Sequence, residues 1–262
     1  TKRKEEWGVK VVYRDYREML ADPQLDAVEI LTPQRMHEQM ATEALQAGKH
    51  VALQKPMSID LARADRILAA AQAEPKLVFR VTDNYVFYPP LIKARELIDS
   101  GAIGEPTNLR IRFVSGGSGG WEIPPTAWQW RLQESREGRG MQIFDHGHHL
   151  WASAWYLLGD IERVSAWIDS VDGIIDSPAT IMWKYANQMC YGVCEYTHAP
   201  QLNIPSDYYA NDEWWEIAGT AGILRVNRCT GKLNEGPSLS LFQGKKWKHY
   251  GNLKADWVEG FK

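Results

Sequence analysis

The pattern of apolar and polar positions changes character at about residue 84. Before it, short apolar runs alternate with amphipathic helical stretches. "VKVVY" (9–13) predicts a strand, "DYREMLADPQL" (15–25) a helix begun by a capping Asp, and "DAVEILTP" (26–33) a buried strand ended by Thr-Pro. "QRMHEQMATEALQAG" (34–48) predicts an amphipathic helix closed by Gly48, and "HVALQKP" (50–56) a strand. "SIDLARADRILAAAQAE" (58–74) predicts a helix capped by Ser58 or Asp60, and "KLVFRVTD" (76–83) a further strand. Strands and helices in this alternation form right-handed βαβ units, hence a parallel sheet covered on both faces. Ligands of such sheets sit beyond the carboxyl ends of the strands. Thr32-Pro33, Gln54-Lys55-Pro56 and Asp83-Asn84 all fall there.

After residue 84 one helix, "PPLIKARELIDSG" (89–101), leads into "EPTNLRIRFVS", whose alternation is that of a half-exposed strand. Further strands are predicted at 162–168, 178–187, 189–198, 213–219, 222–227 and 238–243, joined by Gly, Asn and Pro turns. The predicted fold class is therefore α/β. A parallel-sheet domain over 1–84 is followed by an α+β domain over 85–262 with a largely antiparallel open sheet. "SGGSGGW" (115–121) lies after a strand, does not match a phosphate-binding fingerprint, and reads as a flexible loop.

Composition narrows the function classes. The chain has 262 residues, 44% of them hydrophobic, enough to bury real cores. Thirty basic against thirty-three acidic side chains give a net charge of −3, which offers no electrostatic case for nucleic acid or an anionic membrane surface. No apolar run reaches the roughly 18 to 20 residues of a spanning helix, and a cytoplasmic protein is expected. Three cysteines, Cys190, Cys194 and Cys229, form no CxxC pair and read as reduced core residues. Twelve tryptophans are many for this length, and several cluster: Trp121, Trp128, Trp130, Trp151, Trp155, Trp183, Trp214 and Trp215. Some fill the core; others are candidates for holding the apolar faces of sugar rings.

Two places carry candidate chemistry. Lys55 follows a strand and precedes a proline, so its ammonium is placed either to favour a developing alkoxide or simply to be solvated. In "DHGHHLWASAWYLLG" (145–159), His149 follows Asp145 by four residues, one helical turn on. A neutral imidazole accepts a proton from an alcohol, and a nearby carboxylate orients it or binds a neighbouring hydroxyl. The alternatives are a helix cap at Asp145 and His146, or a metal cluster. The spacing of His146, His148 and His149 makes adjacent side chains diverge, and no HExxH is present, so no metal is expected.

Taken in order, "DAVEILTPQRMHEQMATEALQAGKHVALQKPMS", "NYVFYPPLIKARELIDSGAIGEP", "GRGMQIFDHGHHLWASAWYLLG" and "EWWEIAGTAGILRVN" resemble the glucose-fructose oxidoreductase and inositol dehydrogenase (Gfo/Idh/MocA) family over nearly the whole chain. The T-P-x-x-x-H turn, the K-P dipeptide and the D-x-G-x-H segment carry the resemblance. It implies an NAD(P)-dependent oxidoreductase of a sugar, sugar derivative or cyclitol, with a Rossmann domain and an open-sheet domain that often mediates homo-oligomerisation. Lys55 matches the family's catalytic lysine, Asp145 its substrate-binding aspartate and His149 its acid/base histidine. Thr32, Pro33 and His37 match its cofactor-side turn and helix, with Gln54, Lys55 and Asn84 as further cofactor contacts. Trp121, Trp130 and His148 join Lys55, Asp145 and His149 as expected substrate contacts, while His146 and His148 otherwise only line the pocket. Gln54 stands where the family usually has Glu, and Val86 where it often has Arg.

The family begins with a strand and a G-x-G-x-x-G turn that seats a pyrophosphate, and this sequence contains neither. "TKRKEEWGVKVVY" reads as the end of a helix and "DWVEGFK" as the start of one, so the chain is expected to be a partial Rossmann domain within a longer reading frame, or a shortened gene. Three functions follow: a sugar or polyol dehydrogenase using NAD or NADP, a non-catalytic sugar-binding relative (or an inactive fragment), and a metal-dependent lyase or hydrolase. The nicotinamide readout separates the first two, and metal analysis tests the third.

Overall fold

The computed structural model describes residues 2–137, 139–171, 173–228, 233 and 236–262. The chain divides into two compact units, Thr1–Thr82 and Asp83–Lys262.

In the first unit, helix α1 (Lys2–Trp7) precedes α2 (Tyr16–Leu20), whose entry is set by Asp15 accepting the Arg17 N–H. Strands β1 (Ala27–Ile30), β2 (His50–Gln54) and β3 (Phe79–Thr82) form a parallel sheet in the order β1-β2-β3. Between them run α3 (His37–Gln46), entered through a 3-10 turn at Gln34–Met36, and α4 (Leu61–Ala73), capped by Asp60 accepting the Arg63 N–H. Val28, Ile30, Val51 and Leu53 pack with Ala41, Ala44, Leu45 and Ile67 into one core. Two expectations are corrected. Residues 9–13 form no strand: Val9, Val11 and Val12 are exposed, and β-branched propensity without a paired ladder does not make a strand. β1 is not buried on both faces, because Ala27 and Glu29 alternate outward from Val28 and Ile30.

In the second unit, α5 (Pro89–Asp99) leads into β4 (Pro106–Ser118), then α6 (Pro125–Arg136), a π-helical turn at Met141–His146 and α7 (Gly147–Leu158). β5 (Ile161–Ile168), β6 (Ala179–Tyr185), β7 (Tyr191–Asn203), β8 (Asn211–Gly219), β9 (Gly222–Asn227), β10 (Leu239–Gln243) and β11 (Lys246–Tyr250) complete an eight-stranded sheet with β4. Its order is β11-β10-β9-β8-β4-β7-β6-β5, with β4 and β7 parallel and the other pairs antiparallel. The α/β class with a largely antiparallel second sheet therefore holds. Leu109, Ile111 and Phe113 of β4 and Trp215 and Ile217 of β8 pack with Leu150, Ala154 and Leu157 of α7.

Burial raises the thiol pKa of Cys190 to about 11 and holds that of Cys194 well above its ordinary value, as suits core residues; Cys229 lies outside the described residues. The glycine-rich stretch is not a loose loop. β4 runs through Ser118, and a Cβ at Gly117, Gly119 or Gly120 would overlap the backbone of Pro200, Ile204 or Tyr208. Glycine is required there by close backbone approach.

Candidate functional site

In the first unit the predicted residues gather in the turns that follow β1 and β2. Thr32 Oγ1 reaches Met40 Sδ at 3.4 Å, and Pro33 begins the 3-10 turn. The Lys55 N–H donates to Gln54 Oε1 at 2.8 Å, and the Lys55–Pro56 peptide is cis. His37 lies between these two turns. Its side chain is fully buried, with Nε2 2.8 Å from the Thr32 carbonyl and Nδ1 3.0 Å from the Pro56 carbonyl. It therefore ties the two turns together from inside.

In the second unit the chemistry centres on His149, on the first turn of α7. Its Nδ1 lies 3.0 Å from Oδ2 of Asp83, 66 positions earlier in the chain. The other oxygen of Asp83 accepts the Tyr85 N–H at 2.8 Å. Burial raises the Asp83 carboxyl pKa, but the hydrogen bond and charge of His149, with help from His148, outweigh this and hold it below its ordinary value. So an ionised carboxylate with both oxygens engaged orients the imidazole. Nδ1–H donating to Asp83 makes Nε2 the ring nitrogen that carries the lone pair.

Asp145 sits in the π-helical turn that precedes α7, with Oδ2 3.6 Å from Nε of Arg131. The start of this turn is fixed by Asp176, whose carboxylate accepts the Gln142 and Ile143 N–H groups at 2.7 and 2.6 Å. Gly147 begins α7 where a Cβ would press on Trp151 Nε1 and the Tyr196 hydroxyl.

His146 is more than a pocket-lining residue. Its ring packs on Phe113, and Nε2 lies 3.3 Å from both Glu213 Oε1 and the Tyr85 hydroxyl. Glu213 is fully buried, accepts the Tyr85 hydroxyl at 2.8 Å, and pairs with Arg228 Nη1 at 3.1 Å. Burial alone would raise the Glu213 carboxyl pKa; Arg228 and His146 instead bring it down to about 2.

The remaining predicted residues disperse. Trp121 is 58% exposed, edge-on to Tyr208 and Tyr209. Trp130 lies on α6 under the Arg131 guanidinium, 4.4 Å from its ring centre. His148 is half-buried beside His149, and the Asn84 carbonyl accepts the Phe87 N–H. Trp215, part of the sequence argument for sugar contact, is core: it is fully buried with Nε1 donating to Ser153 Oγ at 2.9 Å. Among the described residues no three His, Cys, Asp or Glu side chains are grouped to hold a metal ion.

Asp83, Tyr85, Glu213 and Arg228 were not singled out as site residues. Asp83-Asn84-Tyr85 follows a predicted strand end, a legible position. Nothing in the sequence marks Glu213 or Arg228, which reach the cluster through sheet pairing.

Comparison with known proteins bears on this arrangement. Residues 1–82 match the family model described as "Oxidoreductase family, NAD-binding Rossmann fold", and residues 91–225 match the "GFO/IDH/MocA C-terminal domain". The chain is 30% identical over 153 residues to levoglucosan dehydrogenase of Pseudarthrobacter phenanthrenivorans, covering 58% of this chain and 38% of that protein. It is 29% identical over 224 residues to D-apiose dehydrogenase of Paraburkholderia graminis, covering 84% of this chain and 56% of that one. The chain thus matches less than two thirds of the length of either relative. The crystal structure of an NAD-binding oxidoreductase from Klebsiella pneumoniae superposes with a TM-score of 0.76 at 25% identity, covering 98% of this chain and 70% of that one.

Proposed function

The chain belongs to the Gfo/Idh/MocA oxidoreductase family, and from that premise we propose that its protein moves a hydride between a ring hydroxyl carbon of a sugar, glycoside or cyclitol and NAD or NADP. The observation that carries the proposal is His149 held at Nδ1 by the ionised Asp83 carboxylate at 3.0 Å. A residue that only bound sugar would not need this arrangement, whereas an acid/base does.

The first unit suits one end of a dinucleotide. Its three parallel strands end at a common edge, where Thr32, Pro33, Gln54 and Lys55 follow β1 and β2. His37 lies buried between the Thr32 and Pro56 carbonyls at that edge.

The nicotinamide, when bound, supplies the hydride acceptor. His149 takes the hydroxyl proton at Nε2, and the imidazolium so formed is stabilised by Asp83 through Nδ1–H. Lys55, by its match to the family's lysine, donates to the oxygen that becomes an alkoxide. Asp145 accepts from a neighbouring hydroxyl, with Arg131 limiting its rotation. Trp121, Trp130 and His148 are the further side chains we expect to contact the sugar, the indoles by their flat apolar faces. Association through the open sheet would make the protein a homo-oligomer.

The test is to mix the full-length protein with NAD or NADP and a panel of aldoses, anhydrosugars and cyclitols while following reduced-nicotinamide absorbance. Turnover of at least one of them is expected, with a loss of roughly 10²- to 10⁴-fold in His149→Asn. Sugar binding without turnover, unchanged in His149→Asn, would overturn the dehydrogenase reading in favour of a sugar sensor.

A further inference from the structure

Behind His149 lies a charged pair that the proton-transfer step does not use. The side chains of Glu213 and Arg228 are 0% and 3% exposed, 3.1 Å apart. Removing two charges from water costs several kcal/mol each, and a buried pair is often no more stabilising than apolar groups of the same volume. Stability therefore gives no sufficient account of a full ion pair at this place.

Its contacts lead to the imidazole. The Tyr85 hydroxyl donates to Glu213, 2.8 Å from one carboxylate oxygen and 3.1 Å from the other. The Tyr85 ring is stacked on His149, with centroids 4.1 Å apart and planes at 11°, and on Trp257 at 4.0 Å and 26°. Two rings that close and that nearly parallel must occupy opposite faces of Tyr85. Arg228 also lies over Trp257, 5.7 Å from its ring centre. The phenol is thus clamped between two rings and pinned at its hydroxyl end. The Tyr85 N–H further holds Asp83 Oδ1, while Asp83 Oδ2 holds His149 Nδ1. Asp83 fixes rotation of the imidazole within its plane, and the Tyr85 ring fixes the plane itself.

We propose that Tyr85, anchored by the buried Glu213–Arg228 pair, is a positioning residue that sets the plane of His149 and so keeps its Nδ1–H aligned on Asp83, the contact that selects the tautomer. The proposal rests on the acid/base reading of His149 for its effect on turnover. Its effect on the imidazole itself is independent of that reading. The anchor has to be charged because a carboxylate accepts the phenol hydroxyl more strongly than a neutral group does, and Arg228 keeps that carboxylate ionised. The ionisable groups around His149 are Asp83, His146, His148, Tyr85 and, behind Tyr85, Glu213 and Arg228.

The experiment uses the full-length protein, with Tyr85→Phe and the double variant Glu213→Gln/Arg228→Met, which removes both charges together. Two readouts are taken: steady-state kinetics with the best sugar, and 15N ring resonances of His149. Tyr85→Phe is expected to lower kcat about 10- to 100-fold with KM within about twofold, the scale of losing orientation and not binding. Its His149 ring resonances should move toward a mixture of tautomers. The double variant should do the same, and combining it with Tyr85→Phe should add little, because both act through one ring. Variants that melt at a lower temperature yet keep wild-type kcat and a single tautomer would overturn the proposal and leave the pair a packing feature. If His149→Asn keeps full activity, the acid/base reading fails. The tautomer readout in Tyr85→Phe then still decides the positioning claim.

Discussion

The Tyr85 ring lies flat against the His149 imidazole, centroids 4.1 Å apart and planes 11° from parallel, although 64 positions separate them in sequence. One residue of the pair directly follows Asp83-Asn84 at the end of a strand, and the other opens α7. Their contact puts an aromatic wall on one face of the proposed acid/base while Asp83 holds its edge.

Asp83→Asn keeps the size of the side chain and removes its charge. The amide either presents its oxygen to Nδ1–H without stabilising the imidazolium, or presents its nitrogen and favours the wrong tautomer. A fall in kcat on the order of 10²-fold is expected, with little change in KM. Steady-state kinetics with a circular-dichroism check of folding measures this.

Acid stability follows from Glu213. Its folded-state pKa is depressed to about 2, so the stabilisation is present above the unfolded-state value and is lost as pH falls from the usual carboxylate range toward 2. Urea midpoints for the wild type should fall across that window. Glu213→Gln/Arg228→Met should show a shallower fall there. Arg228→Met alone, which strands a buried carboxylate, should cost about 3–5 kcal/mol at neutral pH.

His37→Leu would fill the same buried space but remove the imidazole hydrogen bond, which a neutral ring donates to one of the Thr32 and Pro56 carbonyls. One unsatisfied acceptor costs about 1–3 kcal/mol, so chemical denaturation should show a destabilisation of that order. Weaker binding of NAD or NADP, read by titration calorimetry, should accompany it if these turns form the cofactor edge.

Gly117→Ala would drive a methyl group into the Pro200 carbonyl of β7. The strand cannot move aside without breaking its parallel pairing with β4, and a loss of about 1–3 kcal/mol is expected from thermal melts. Gly251→Ala, where nothing lies within 4 Å, should change stability by no more than about 0.5 kcal/mol.

Sequence pattern alone was enough for the alternation of helix and strand from residue 15 to 82 and the succession of half-exposed strands after β4. It determined these because burial on one face imposes periods of two and 3.6 on apolar positions. It also brought Lys55, Asp145 and His149 forward, because Lys, Asp and His side chains stand out locally and match a family's motifs. Helix α6 and the β11 hairpin were not legible in the sequence, the first because its polar and Trp-rich residues carry almost no apolar stripe. The partner of each group comes from the folded chain: Asp145 lies beside Arg131 in a π turn, and Asp83 arrives from a strand end to hold His149. Sheet register carries Glu213 opposite Phe113 and next to Arg228, burying a charge that the pattern "DEWWE" gives no reason to bury. Hydrogen bonds and ion pairs act over about 3 Å between residues distant in the chain, and one-dimensional periodicity records which side is buried but not what it meets.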